Sequence, residues 1–176
     1  MPQNKEQKAI NNIYALLCVS LLMGFIPIMT AALLALLMFT GALIGAYVIR
    51  SKADEHSLAA NHMTFIIRTI WIASLFALIS TAIASAYLLP NYDNSMLMAC
   101  ADQVVQNLGS GMTDPVLLEE KLKPCMDDFM QANKSVFIIA TIIAATPIVV
   151  YMGYRLAKGL SRAVKGHRIG DVKAWF

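Results

Sequence analysis

His62–Leu89 reads HMTFIIRTIWIASLFALISTAIASAYLL, in which a histidine, an arginine and a tryptophan lead into a run, Thr69–Leu89, that holds no Asp, Glu, Lys or Arg. A membrane-spanning helix needs about 20 mostly apolar residues, and this stretch supplies them behind a polar head. Arg68 is the only charge in its neighbourhood. Taken as one helix from about Leu58 to Leu89, where Pro90 ends it, the segment would be about 48 Å long. A bilayer core is about 30 Å thick, so the first turns project into the cytoplasmic interface. On a helical wheel Arg68 shares a face with Thr64, Phe65, Trp71 and Ile72, while His62 lies roughly 120° away. Further along, Ala73, Ala77, Thr81 and Ser85 recur every four residues, a small-residue packing seam that suits a central helix of a bundle.

The rest of the chain follows the same logic. Ile10–Ile49 and Ser135–Tyr154 are also free of formal charge, and only 14% of the 176 residues are charged while 58% are hydrophobic. A soluble domain carries about 25% charged residues, so the composition is that of a membrane protein and excludes nucleic acid as a partner. The long amino-terminal run exceeds one untilted helix and is interrupted by Gly24-Phe25-Ile26-Pro27. Proline cannot donate to the helix behind it and fits the first turn of the one ahead, which predicts two helices, about 11–25 and 28–49. The first would rise only about 22 Å, short for a full crossing. Its apolar turn belongs at the interface or under protein cover. Gly41 and Gly45 form a GxxxG pair, read as helix packing with a dimer face as the alternative. Residues 1–9 form a short polar arm without a signal-peptide cleavage site, expected in the mature protein. In the polar 50–61 connection, Ser57 is placed to cap the next helix.

Residues 90–134 are the one sizeable polar piece, with seven acidic residues against Lys121, Lys123 and Lys134. Helical spacing through Leu97, Ala101, Val104 and Leu108, a Gly109-Ser110-Gly111 turn, and Asp114-Pro115 as cap and first position predict two short helices forming a small cap. A fourth apolar helix, 135–158, passes Pro147, where a kink is expected. A basic tail, 159–176, ends in Trp175-Phe176. The amino-terminal arm, the Arg50–Arg68 connection and the stretch from Arg155 to the end together hold 11 of the 14 Lys and Arg residues. The positive-inside rule then places both termini in the cytoplasm and the acidic loop outside, with four crossings. The expected fold is an all-α, integral membrane four-helix bundle with a small helical extracytoplasmic cap.

Candidate sites are few. Cys100 and Cys125, with 24 residues between them, both lie in the loop assigned to the oxidising side and predict a structural disulfide; the spacing is not that of a CxxC redox motif. The alternative is a soft-metal site with Met96, Met98 and Met126, although the loop contains no histidine. Arg68 reads either as an anchor reaching the headgroups or as a deeper charge needing a partner from outside the chain, since no acidic residue occurs in the spans. His62, Phe65, Arg68 and Trp71 are therefore the expected partner or lipid contact. Arg155, Lys158, Arg162, Lys165, Arg168 and Lys173 read as topology determinants against anionic lipid at the cytoplasmic face, with docking to a cytoplasmic partner as the alternative. Gly166 and Gly170 break that basic helix. No nucleotide loop, nucleophile with a base or HExxH motif occurs, so the expectation is a non-enzyme without a cofactor.

HMTFIIRTIW, with an aromatic three residues after the histidine, Arg68 six after and Trp71 nine after, resembles the opening of the third helix in a family of small uncharacterised bacterial membrane proteins. That family is distantly similar to the chloroplast inner-envelope import-channel group. Tyr154–Phe176, YRLAKGLSRAVKGHRIGDVKAWF, is similar to the same family's ending. The resemblance covers about Asn12–Leu89 and Val136–Phe176, and departs from the family at 90–134, where a longer segment with two cysteines replaces a short hairpin. It implies the four-helix fold and, as one functional expectation, a channel or transporter component, possibly homo-oligomeric. The other expectation is an accessory or structural subunit of a larger bacterial inner-membrane complex, its partners being other membrane subunits or itself.

Overall fold

The computed structural model describes residues 3–108, 115–172 and 174. The described residues are all-helical, in six helices: α1 (Gln3–Met23), α2 (Met29–Lys52), α3 (Leu58–Asn91), α4 (Ser95–Leu108), α5 (Pro115–Ala132) and α6 (Lys134–Val164). Three of them, α2, α3 and α6, are long and apolar enough to cross a membrane. They expose large aliphatic side chains, among them Leu36, Leu37, Leu78, Ile83, Ile142 and Val150. A soluble protein rarely shows contiguous apolar surface on that scale; for a helix in lipid it is the expected exterior. The expected turn at 109–111, the Asp114 cap, Lys173 and Trp175-Phe176 lie outside the described residues.

Helix ends differ from the sequence expectation where apolar runs stop but helices do not. α1 begins at Gln3, within the polar arm, and stops at Met23, because charge and amide side chains on an exposed turn do not interrupt backbone hydrogen bonding. The Gly24–Ile28 turn satisfies part of its backbone locally, with Gly24 N–H donating to Ser20 at 3.1 Å and Ile28 N–H to Ile26 at 2.8 Å. Phe25, Ile26 and Ile28 are exposed. α6 runs unbroken through Pro147 and continues six residues past Lys158 to Val164. Ser57 caps α3 as expected, its Oγ accepting from Ala60 N–H at 3.1 Å.

The chain divides into two compact units, Met1–Ala77 with Pro147–Phe176, and Leu78–Thr146. In the first, α1 packs on α2, and a core of Ile10, Tyr14, Leu17, Ala42, Ala46, Met63, Ile66, Ile70, Met152 and Leu156 draws on α1, α2, α3 and α6. Of the Gly41/Gly45 pair on α2, Gly45 packs inside the chain, where a Cβ would come within 2.8 Å of Ile13 Cδ1, while Gly41 is exposed and a Cβ there would only touch Leu16 Cδ2 at 3.9 Å. Ala31, Ala35, Ala42 and Ala46 are the buried residues of α2, so small side chains are what let the two helices approach.

In the second unit, the Cys100–Cys125 disulfide ties α4 to α5, with Cα atoms 5.7 Å apart. Asn133, the single residue between α5 and α6, is buried and joined to Asp93 by two hydrogen bonds, Asp93 N–H to Oδ1 at 2.7 Å and Nδ2 to Asp93 O at 2.8 Å. Hydrogen bonds from Ser95 hold the Asp93 carboxyl below the usual carboxylate range. Tyr92, Phe129 and Phe137 stack edge to face around this junction, at 6.3 and 5.7 Å between centroids. Ser80 Oγ donates to Ala144 O at 2.9 Å, joining α3 to α6.

The seam expected on α3 is corrected in its second half. Ala73 is buried and Ala77 half-buried, but Thr81 and Ser85 are exposed and Ser80 and Ala84 take the covered positions. A strict four-residue step drifts about 40° per repeat on a helix of 3.6 residues per turn, so a straight contact face must alternate steps of four and three. Replacing Cys125 by Ser is expected to lower the stability of the Leu78–Thr146 unit by about 3 kcal/mol on the chain-entropy estimate for a loop of this length. Thermal unfolding of the purified wild type, with and without reductant, should reproduce the variant's downward Tm shift.

Candidate functional site

The polar groups of the first unit converge where α6 ends. Gly166 adopts φ of +67°, and around it Gly166 N–H donates to Ala163 O and His167 N–H to Arg162 O, both at 2.9 Å. This is a Schellman cap, in which a residue without a Cβ takes the left-handed conformation and reverses the chain. The following segment, His167–Ile169, returns along the head of α3. Asn61 binds the backbone of Ile169 twice, Nδ2 to its carbonyl at 3.0 Å and Oδ1 from its N–H at 2.8 Å, and the Ile169 side chain is buried.

His62 adds the next tie. Its Nε2 lies 3.0 Å from His167 O and its Nδ1 3.1 Å from the Tyr14 hydroxyl. A carbonyl only accepts, so Nε2 carries the hydrogen and Nδ1 accepts from Tyr14. The Tyr14 ring meets the imidazole edge to face at 5.8 Å. Room for that ring exists because residue 159 is glycine: a Cβ there would overlap the Tyr14 hydroxyl and stand 2.8 Å from its Cε1.

Arg155 is the largest fully buried side chain of the described residues. Its guanidinium lies 3.7 Å from the Phe65 ring centroid, Nε donates to Thr69 Oγ1 at 3.0 Å and Nη1 to Ala174 O at 2.8 Å. Nη2 has no hydrogen-bond partner among the described residues. Thr69 passes its own hydroxyl hydrogen to Phe65 O at 2.7 Å, so the chain of donors runs from α6 through α3 to its backbone. Around the same end of the unit, Glu6 accepts from Ala59 N–H at 2.6 Å and Gln7 Nε2 donates to Ala163 O.

The residues singled out by sequence divide between core and surface. His62 and Phe65 are fully buried, which corrects their assignment as lipid or partner contacts: a histidine between two hydrogen-bond partners and a ring under a guanidinium face inward. Arg68 is half-buried, and Trp71 is 59% exposed with its indole N–H on the Tyr47 hydroxyl at 3.0 Å. Arg155 is corrected too, from tail determinant to core residue. Lys165 and Arg168 are exposed, as is Arg162, whose Nη1 donates to Arg168 O at 3.1 Å, and Lys158 is half-buried with its ammonium 5.3 Å from the Tyr154 ring centroid. With Cys100 and Cys125 bonded to each other, their sulfurs are not thiolate ligands. Among the described residues no group of three His, Cys, Asp or Glu side chains is arranged to hold a metal ion.

A signal for Arg155 did exist in the sequence. Tyr151, Met152, Arg155, Leu156, Gly159 and Ala163 lie on one helical face, and all are buried; the small and apolar members of that stripe continue past the charge-free run. No family model, curated protein or solved structure matches the chain. The geometry itself is that of a clamp, in which titratable side chains hold backbone rather than face an open cleft.

Gly159→Ala is expected to displace Tyr14 and cost about 1–3 kcal/mol as an overpacked core, whereas Gly153→Ala, with nothing within 4 Å of the added carbon, should be neutral or stabilising by up to about 1 kcal/mol. Thermal unfolding of the pair separates steric from propensity effects. Asn61→Ala removes both ties to Ile169, so cleavage by trypsin at Arg168 in the native protein should accelerate at least about tenfold, the equivalent of about 1.4 kcal/mol of lost protection.

Proposed function

We propose that this chain is a four-pass protein of the bacterial inner membrane, a four-helix bundle with a small extracytoplasmic helical cap and both termini in the cytoplasm, acting as a non-catalytic accessory or structural subunit of a larger membrane complex. The observation that carries the reading is the shared end of the first unit. The head of α1 is bound to the head of α3 through Glu6 and Ala59 and to the end of α6 through Gln7 and Ala163, and the head of α3 to the segment after α6 through Asn61 and Ile169. α1 therefore runs alongside α3 and opposite to α2. At 21 residues it is about 32 Å long, with its polar head at the basic end and its apolar remainder, about two-thirds of that length, directed along the other helices. Four crossings with the basic segments at that shared end agree with the positive-inside rule.

The subunit reading draws on how the polar groups are used. His62 and Arg155 are engaged in holding the carboxy-terminal segment and Tyr14 in holding His62, a use of polar groups that supports a structural role. The outer face of α3 instead presents Trp71 and Leu75, exposed, beside half-buried Arg68. An aromatic pair such as Trp71–Tyr47 suits the membrane interface, and a face of this kind is where a neighbouring transmembrane subunit would dock. The resemblance to small bacterial membrane proteins in HMTFIIRTIW supports the same class.

The test is photo-crosslinking in native membranes from a benzophenone amino acid at Leu75, followed by mild-detergent purification and mass spectrometry. A stoichiometric second protein, crosslinked in the wild type and lost in Trp71→Ala, is the expected result. Recovery of a homo-oligomer alone would overturn the subunit reading and favour a channel or transporter component. For the topology, a membrane-impermeant maleimide applied to intact spheroplasts should label Gln106→Cys and leave Ser51→Cys unlabelled; the reverse pattern overturns the orientation.

A further inference from the structure

Between the head of α1, the end of α2 and the head of α3 lies a cavity of about 270 Å³, lined by Glu6, Ala9, Val48, Ile49, Lys52, Ala53, Asp54, Ser57 and Ala59. Its two ends differ in chemistry. Ala9, Val48 and Ile49 make an apolar wall, and that wall continues onto the exposed surface of α2 at Val48 and Ile44. Glu6, Lys52 and Asp54 line the polar end. Lys52 and Asp54 make no ion pair among the described residues, and Glu6 commits one oxygen to Ala59 N–H, leaving the other without a hydrogen bond there. Two carboxylates and one ammonium around one cavity, not neutralising each other, are complementary to a ligand that carries both charges.

We propose that this cavity binds the headgroup of an aminophospholipid, with its primary ammonium between the Glu6 and Asp54 carboxylates, its phosphate on Lys52, and an acyl chain leaving along Val48 and Ile44. The proposal rests on the membrane reading above. A soluble zwitterion would fill the polar end but has no use for an apolar wall open to the surface of a spanning helix. A primary ammonium supplies three N–H donors to carboxylates, whereas a trimethylammonium has none and is bound by aromatic cages, which this lining lacks. An anionic glycerol headgroup would meet two carboxylates and only one lysine, so like-charge repulsion opposes it.

The test uses the full chain in detergent, freed of lipid, titrated separately with phosphatidylethanolamine, phosphatidylcholine, phosphatidylglycerol and water-soluble phosphoethanolamine, and read by native mass spectrometry. Phosphatidylethanolamine should bind at one site at least about tenfold tighter than either other lipid, since hydrogen bonds to charged groups are individually worth about a factor of ten or more. Phosphoethanolamine should compete only weakly, because it lacks the acyl chain. Glu6 also caps α3, so the informative variants are elsewhere: at the exposed positions Asp54→Asn and Lys52→Gln should each weaken the lipid about tenfold with unchanged Tm, and at the half-buried Ala9, Ala9→Leu should occlude the apolar wall. Equal binding of ethanolamine and choline lipids, preference for the glycerol lipid, or phosphoethanolamine binding as tightly as the lipid would each overturn the proposal. A protein that binds phosphatidylethanolamine but crosslinks to no second subunit would sink the proposed function while leaving this site standing.

Discussion

A guanidinium removed from water inside a helical core is the constraint on which the first unit depends. Burial of an uncompensated charge costs several kcal/mol even after relaxation, and the described residues bring Arg155 no carboxylate. Compensation comes from the Phe65 face, the Thr69 hydroxyl and the Ala174 carbonyl. The last of these lies well beyond the end of α6, so the chain must fold back for the arginine's Nη1 to be satisfied. The Schellman turn at Gly166 makes that reversal, and the Asn61 and His62 ties fix the returning segment on α3. The cap, the ties and the buried charge each need the others.

The same economy explains α1. Its polar head satisfies an amide at the start of α3 that the helix terminus leaves unpaired, through Glu6, and adds Gln7 as a second donor to the Ala163 carbonyl, which already accepts from Gly166. Its middle delivers Tyr14 to His62 through the gap at Gly159. An aromatic hydroxyl buried without a partner would be expensive, so glycine on α6 and histidine on α3 are coupled choices. The small residues of α2, from Ala31 to Ala46, let α1 come close enough for these contacts to form.

The Leu78–Thr146 unit solves a different problem. Two short amphipathic helices bury little surface between them and would be marginal alone. The Cys100–Cys125 bridge restricts their unfolded ensemble, and Asn133, whose backbone still bonds to Phe129 and Phe137, ties the α5–α6 junction to Asp93 through its side chain. Tyr92, Phe129 and Phe137 cover that junction with aromatic surface.

Charge-free runs and the Gly24-Phe25-Ile26-Pro27 break made the helices legible from the chain alone, although α3 takes Pro90 inside it and ends at Asn91, and the two cysteines in one acidic loop made the disulfide legible. Those features are local: hydropathy, proline and cysteine chemistry act within a segment whatever surrounds it. The site was not legible in that way. Arg155 counted as the first charge of a basic tail and His62 as an interfacial group, because one-dimensional reading assigns a charge to the nearest water. Phe65, Thr69, Tyr14 and the carbonyls of His167 and Ala174, which reverse both assignments, come from two helices and the returning segment of chain. Whether a polar side chain belongs to the surface or the core depends on partners far away in sequence, and only their assembly in space could decide it.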